Sequence, residues 1–447
     1  MGDLLSDFRL PIYKALITFS SDCSRSQIRL TEFLFSHIKA VPRKTSDRAD
    51  RRTEIYEKRR IKMTGSTQQF WTIPFMALLA ATTAFTATYY LLLPVLPIYM
   101  DELGANKLDI GLIMGLFFFG SLFLRVLAGI LGDRYGRKGL LWSCVALSVV
   151  TPLFFIKPSL AYVALMQLVF GYTIGVFTVS SISLLTENVD GAFLGRAVGI
   201  HSIALIMGKG LMPSLGLYLH RWSGLWTVIG LSATFTVLTA LLLPLTKEEK
   251  RVRRVGENQT PFREILKNPY VIFPGLILFV ITFTNGTVIT MLPLFAKEVQ
   301  ILGFEWFFTV NAVAIILSRL LMPKMIFTDE VGIVKIALVF IIVSVSALGF
   351  SKSLPYLLTQ AFLYGLGFGL MYPALTVIVL RQTPPSSKGS ALGLFTSFFD
   401  IGVTAGSFWA GLSEFWGFQR VYLSAAILPI VGFLLLSLKT TKKSDSS

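Results

Sequence analysis

The chain has 447 residues, of which 53% are apolar and only 15% charged. Soluble domains carry about 25% charged residues, so this composition excludes a water-soluble globule and points to a membrane protein. The formal net charge of +16 would suit a nucleic-acid binder, but the positions of the charges along the chain exclude that class.

Residues 1–62 come first and differ from everything after them. They hold 14 Lys and Arg against 8 Asp and Glu, densest in "RADRRTEIYEKRRIK" at 48–62. The segment reads as a basic cytoplasmic extension, either disordered or lying on an anionic leaflet. Met63, followed by "TGSTQQFWTIPF", would itself serve as a short start before the first apolar stretch. "MGDLLS" fits only a loose myristoylation pattern, and the segment does not read as a secretory signal peptide.

From Phe70 onward, apolar runs of about 20 residues, the length that crosses about 30 Å of hydrocarbon as a helix, follow one another. The spans are 70–99, 108–131, 139–156, 160–185, 193–219, 222–245, 270–296, 301–326, 332–350, 355–380, 389–412 and 420–438. They lack the alternation of a β-barrel, and lipid leaves helices as the remaining way to satisfy the backbone. The predicted fold is therefore all-α, with twelve transmembrane helices.

The loops after the odd-numbered spans hold Lys107, Lys157, Arg221, Lys297, Lys352 and Arg420. Most of the other Lys and Arg, out of 41, fall on the opposite side. That asymmetry is the positive-inside pattern. It places both termini in the cytoplasm of a multi-pass protein of the plasma (inner) membrane, and it accounts for the net charge without nucleic acid. Cys23 and Cys144 are the two cysteines, so no disulfide framework exists. Three His and two Cys without ligand spacing leave no metal site, and no phosphate-binding glycine loop or other cofactor motif is present.

Residues 246–269, "TKEEKRVRRVGENQTPFREILKNP", divide the spans six and six. Landmarks recur at a fixed offset across this linker. Arg125 pairs with Arg319, Gly171 with Gly365, Gly175 with Gly369, Gly199 with Gly393, and Gly208 with Gly402. The chain thus reads as a duplicated unit: residues 63–245 as one six-helix bundle, 270–438 as a pseudo-symmetric second, and 439–447 as a cytoplasmic tail. Parallel halves place a site between them near the midplane.

Between spans 2 and 3 stands "LAGILGDRYGRKGLL". Gly129, Leu131, Asp133, Arg134, Gly136, Arg137 and Lys138 match the signature Gly-x-Leu-x-Asp-Arg-x-Gly-Arg-Lys, and the stretch resembles that of the major facilitator superfamily. The resemblance covers residues 64–440 and implies a secondary transporter working by alternating access. It also implies that this loop is a cytoplasmic latch. A carboxylate at position 133 would face the positive N-terminus of helix 11 near Lys388 and Gly389, and the arginines would bridge to Glu187 or Asp190. The equivalent stretch of the second half, "PKMIFTDEVG", has lost the pattern, with Phe327 where an acid is expected.

Span 5 resembles the antiporter motif of the same superfamily through Gly199, Gly208, Pro213 and Gly216. It departs from it at Met212 and Leu217. The motif implies a small-faced, pliable helix packed against its partner from the other half. Span 4 carries Gln167 where proton-coupled relatives begin with Arg, so coupling has to rest on other groups. Away from the span ends, the ionisable residues are Arg125, Lys209, Arg319 and Asp400, with His201 as a neutral possibility. Such groups are costly in lipid and face a cavity or each other. Arg125 and Arg319 sit near inner helix ends, where snorkelling or interhelical bonding is expected. Lys209 and Asp400 lie deep in the mated spans 5 and 11, as a pair across the cavity or a static buried bridge. Asn285 and Asn311 complete the polar lining, beside Tyr89, Tyr90, Tyr364 and Tyr372.

The first functional reading is a monomeric, proton-driven exporter of small amphipathic or anionic organic molecules. The alternatives are an importer or facilitator of a sugar or organic acid, and a polytopic membrane enzyme or receptor. The missing catalytic constellation argues against an enzyme.

Overall fold

The structure is a computed structural model that describes residues 71–189, 193–248, 267–321, 330–383 and 388–444. The expectations for residues 1–62 lie outside these residues. Described helices occupy every predicted span. They are α1 (Ile73–Glu102), α2 (Lys107–Tyr135), α3 (Arg137–Val150), α4 (Leu160–Glu187), α5 (Leu194–Ser223) and α6 (Leu225–Leu242) in the first half. The second half holds α7 (Pro269–Glu298), α8 (Trp306–Leu321), α9 (Glu330–Leu348), α10 (Leu354–Arg381), α11 (Lys388–Gly411) and α12 (Ser413–Ser444).

Among the described residues, nine of these helices are long and apolar enough to cross a membrane, and Trp306–Leu320 is a shorter apolar helix. The two others, α2 and α3, stand where spans 2 and 3 were predicted. Helix α3 has only 14 residues before a 3-10 turn at Thr151–Phe155 takes over at Pro152.

Helix ends follow the local chemistry. Thr72 Oγ1 accepts from Phe75 N, and Asn268 Oδ1 accepts from Tyr270 N at 2.9 Å, each satisfying an otherwise orphaned first-turn donor. Helix α1 breaks at Leu93–Val95, where Pro94 cannot donate, and resumes at Leu96. Gly224 (φ +80°) lets α5 turn directly into α6. The last helix starts seven residues earlier than its predicted span, at Ser413, and Gly417 (φ +74°) kinks it.

The packing is duplicated. In the first half α1 packs on α5 and α6, and α4 on α2 and α3. In the second, α7 packs on α11 and α12, and α10 on α8 and α9. The halves meet through α2 against α11 and α5 against α8, a pair of contacts that the repeat exchanges. The offset of 194 holds at the level of single contacts. A Cβ on Gly171 would collide with the Phe117 carbonyl, and one on Gly365 with the Asn311 carbonyl. Likewise Gly175 abuts Ser121, and Gly369 abuts Ile315. Removing side chains at these positions lets backbones approach, which holds helices together where lipid supplies no hydrophobic drive. The fold is thus the predicted pair of pseudo-symmetric six-helix bundles.

Candidate functional site, a cavity between the halves

A cavity of about 810 Å³ lies between the halves. Helices α1, α2 and α5 form one wall through Tyr90, Phe118 and Lys209. Helices α7, α8, α10 and α11 form the other through Asn285, Asn311, Arg319, Tyr364, Tyr372 and Phe399. The volume lies within the usual 300–1,000 Å³ for organic ligands, and an apolar wall with a few polar groups is the usual composition of such a site.

Lys209 lies over the Tyr90 ring, 5.4 Å from its centroid, an attraction of about 0.5–2 kcal/mol for a cation on an aromatic face. Arg319, expected near a helix end in a snorkelling or interhelical role, lines the cavity, and its buried Nε has no hydrogen-bond partner among the described residues. Asn311 Nδ2 donates to the Ala361 carbonyl at 3.2 Å. Thr284 Oγ1 lies 3.1 Å from the Tyr364 hydroxyl, a hydrogen bond that fixes that ring in the wall.

Other predicted residues stand behind the wall. His201 is fully buried, its Nε2 3.1 Å from Ser181 Oγ. Gln167 is also fully buried and donates through Nε2 to Met114 Sδ at 3.2 Å, between α4 and α2. Asp400, 1% exposed, is not among the lining residues. The structure therefore gathers Lys209, Arg319, Asn285 and Asn311 around one space, and Lys209 and Asp400 do not share its wall. The side chain of Arg125 lies outside the described set.

The glycine face of α5 differs from expectation. Cβ atoms on Gly208 and Gly216 would strike Thr86 and the Leu91 carbonyl, so this face packs on α1 of its own half. The cross-half contact is made instead by Gly210 against Ala312, two residues on from Gly208 and so about 200° round the helix axis. Pro213 lines the cavity, and Gly199 has open space around it.

The loops after odd-numbered helices share one end of the molecule. There Lys107 Nζ lies 2.9 Å from Glu298, and Lys297 Nζ 2.8 Å from Asp101, each pair joining the two halves. The Lys107 backbone N–H donates to Glu414 at 2.9 Å, and Arg221 approaches Glu305 at 3.6 Å. Below them Ser214 Oγ donates to the Glu305 carbonyl at 2.7 Å and accepts from Thr309 at 2.7 Å. The halves are therefore joined at the odd-loop end, while the cavity runs toward Ser202, Thr376 and Thr396 on the even-loop side.

At the even-loop end, Gly136 (φ +88°) separates α2 from α3. The Glu248 carboxylate accepts from the Arg137 and Lys138 backbone N–H groups, capping α3. Lys138 Nζ donates to the Pro244 and Thr246 carbonyls at 3.2 and 2.8 Å, and Asn188 Nδ2 to the Lys247 carbonyl at 2.7 Å. Gly129, Asp133 and Arg134 fall in α2, and Glu187 ends α4. The side chains of Asp133, Arg134, Glu187 and Lys388 lie outside the described set, as does Asp190 entirely. Neither Glu248 nor the odd-loop ion pairs were anticipated. They arise from residues at helix ends or just beyond them, where no periodicity applies, and only the acid–base balance of these connecting regions could have signalled them.

Two helical halves round a central cavity, joined at one end, are the architecture of a membrane transporter rather than of an enzyme. The family model of the Major Facilitator Superfamily matches residues 78–327 and 276–447, and the chain belongs to that family. It is 29% identical over 378 residues to the MFS-type transporter YhhS of Salmonella enteritidis, covering 79% of this chain and 89% of that one. YhhS of Escherichia coli is 27% identical over 362 residues, covering 77% and 86%. Among solved structures, a mutant of the nucleoside transporter NupG superposes with TM-score 0.68 at 14% identity, covering 82% of this chain and 99% of that one. The human organic anion transporter MFSD10 gives 0.59 at 19%, covering 81% and 99%.

Proposed function

We propose that the protein is a proton-coupled exporter of small amphipathic or anionic organic molecules, working as a monomer by alternating access in the plasma (inner) membrane. The observation that carries the reading is the cavity bearing Lys209 and Arg319, with the halves bridged by ion pairs at the odd-loop end. The excess of Lys and Arg on the even-loop side supports a cytoplasmic position for that side, so this conformation would take substrate from within. Residues 63–245 and 270–438 are the moving bundles, tied by the linker 246–269.

In this scheme Asp400, buried in α11 behind the cavity wall, is the group that takes up and releases the proton, and His201 is the next candidate. The signature loop, with Asp133, Arg134, Arg137 and Lys138 set against Glu187, Asp190 and the start of α11, closes the cytoplasmic side when the odd-loop pairs open. Gln167, holding a position where a cation is expected, favours one second reading, a facilitator without proton coupling. Transport in everted vesicles with and without a pH gradient separates the two. Uptake that rises only with an acid lumen supports coupled export, and uptake indifferent to the gradient supports the facilitator.

A further inference from the structure

We propose that the cavity is a binding site for aromatic oxyanions, in which Lys209 of the first half and Arg319 of the second together hold the acidic group. The proposal rests on the transporter reading above and specifies its substrate.

Charge comes first. Among the described residues that line the cavity, Lys209 and Arg319 are the charged ones, and no carboxylate lines it. Two cations in a space walled largely by apolar side chains repel each other and lack a counter-charge on that wall, an arrangement that an entering anion relieves and an entering cation worsens. Arg319 also keeps a buried donor unused, since its Nε has no acceptor among the described residues. A buried N–H without a partner is costly, and an oxyanion satisfies it while adding a charge-assisted bond. The planar guanidinium suits a carboxylate, sulfonate or phosphonate.

Shape comes second. Tyr90 lies beneath Lys209, and the same cavity is lined by Phe118 on the first half and by Phe308, Phe368 and Phe399 on the second. A flat apolar body removes these faces from water, whereas a small hydrophilic anion leaves them wet. The amides of Asn285 and Asn311 add orientation without charge.

Placement comes third. Lys209 stands on α5 and Arg319 on α8, the two helices that pack across the half-to-half interface. An anion touching both ties the halves through its own charge, so its binding energy acts on the very interface that must rearrange during transport.

The test uses purified full-length protein in lipid nanodiscs and measures equilibrium binding, which needs no gradient. The probes are naphthalenesulfonate, permanently anionic, the uncharged naphthalenesulfonamide of nearly the same shape, and naphthylmethylammonium. The expected result is saturable binding of the sulfonate, with the sulfonamide at least about tenfold weaker, the size of one lost charge-assisted interaction, and the cation weaker still. Arg319→Gln and Lys209→Gln should each weaken the sulfonate by about tenfold while leaving the sulfonamide unchanged. Arg319→Lys, which keeps the charge if the glutamine variant fails to fold, should recover part of the loss. Equal binding of sulfonate and sulfonamide, preference for the cation, no saturable sulfonate binding, or unchanged affinity in folded Arg319 and Lys209 variants would overturn the proposal. Charge-selective binding that survives alongside a failure of gradient-driven transport would overturn only the export reading.

Discussion

Lys297 in the second half lies 2.8 Å from Asp101 in the first, and the exchange is reciprocal, because Lys107 in the first half lies 2.9 Å from Glu298 in the second. The side chains are 28–58% exposed, so each pair contributes only about 0.2–1 kcal/mol. That scale suits a joint that the proposed alternating-access cycle has to break. Asp101→Asn with Glu298→Gln should shift the equilibrium toward the odd-loop-open state by a few-fold. Spin labels placed on the loops at that end would report longer distances in the double variant. Distances unchanged from the parent would mean that the helix contacts, not the ion pairs, hold this end shut. High salt should move the parent the same way, since exposed pairs are screened.

The even-loop end makes a different prediction. Glu248 caps α3 by accepting from the Arg137 and Lys138 backbone N–H groups, and losing a cap costs about 1 kcal/mol. Glu248→Ala should lower the apparent Tm in detergent by a few degrees, with Glu248→Gln intermediate. Asp133→Asn, in contrast, should reduce transport while leaving membrane expression intact. Parental transport by Asp133→Asn would remove the latch from the account.

Close helix approach can be tested at the repeat-related glycines. Gly171→Ala puts a methyl into the Phe117 carbonyl and Gly365→Ala puts one into the Asn311 carbonyl, and overpacking of this kind costs about 1–3 kcal/mol. Gly199→Ala meets open space and gains helix propensity, so it should be neutral or stabilising. Thermal unfolding of the three variants should therefore split two against one. Equal stability of all three would contradict the tight duplicated packing.

Those glycines also show what the sequence makes legible. Helix positions and the repeat follow from span length and from landmarks such as Gly171 and Gly365, because lipid dictates the first and backbone approach the second. Rotation about a helix axis is less legible. Arg319 reads as a helix-end anchor yet faces the cavity, and Asp400 reads as the partner of Lys209 yet is not on the cavity wall. In a span apolar on all sides, no polar stripe marks the inward face. The α5 glycines mislead for the same reason, since small residues reveal a close neighbour without revealing which one, and here it is α1. Glu248 is least legible, because a capping carboxylate 111 residues beyond Arg137 leaves no local pattern.

The central claim is proton-coupled export through this cavity. The most direct measurement follows labelled naphthalenesulfonate in everted vesicles with an imposed acid lumen, comparing the parent with Asp400→Asn. The permanent charge of the probe keeps passive partitioning out of the signal. The account predicts that the parent accumulates the probe and that Asp400→Asn loses gradient-driven accumulation while retaining probe exchange at equal pH. Full gradient-driven accumulation by Asp400→Asn, or no dependence on the gradient in the parent, would contradict it.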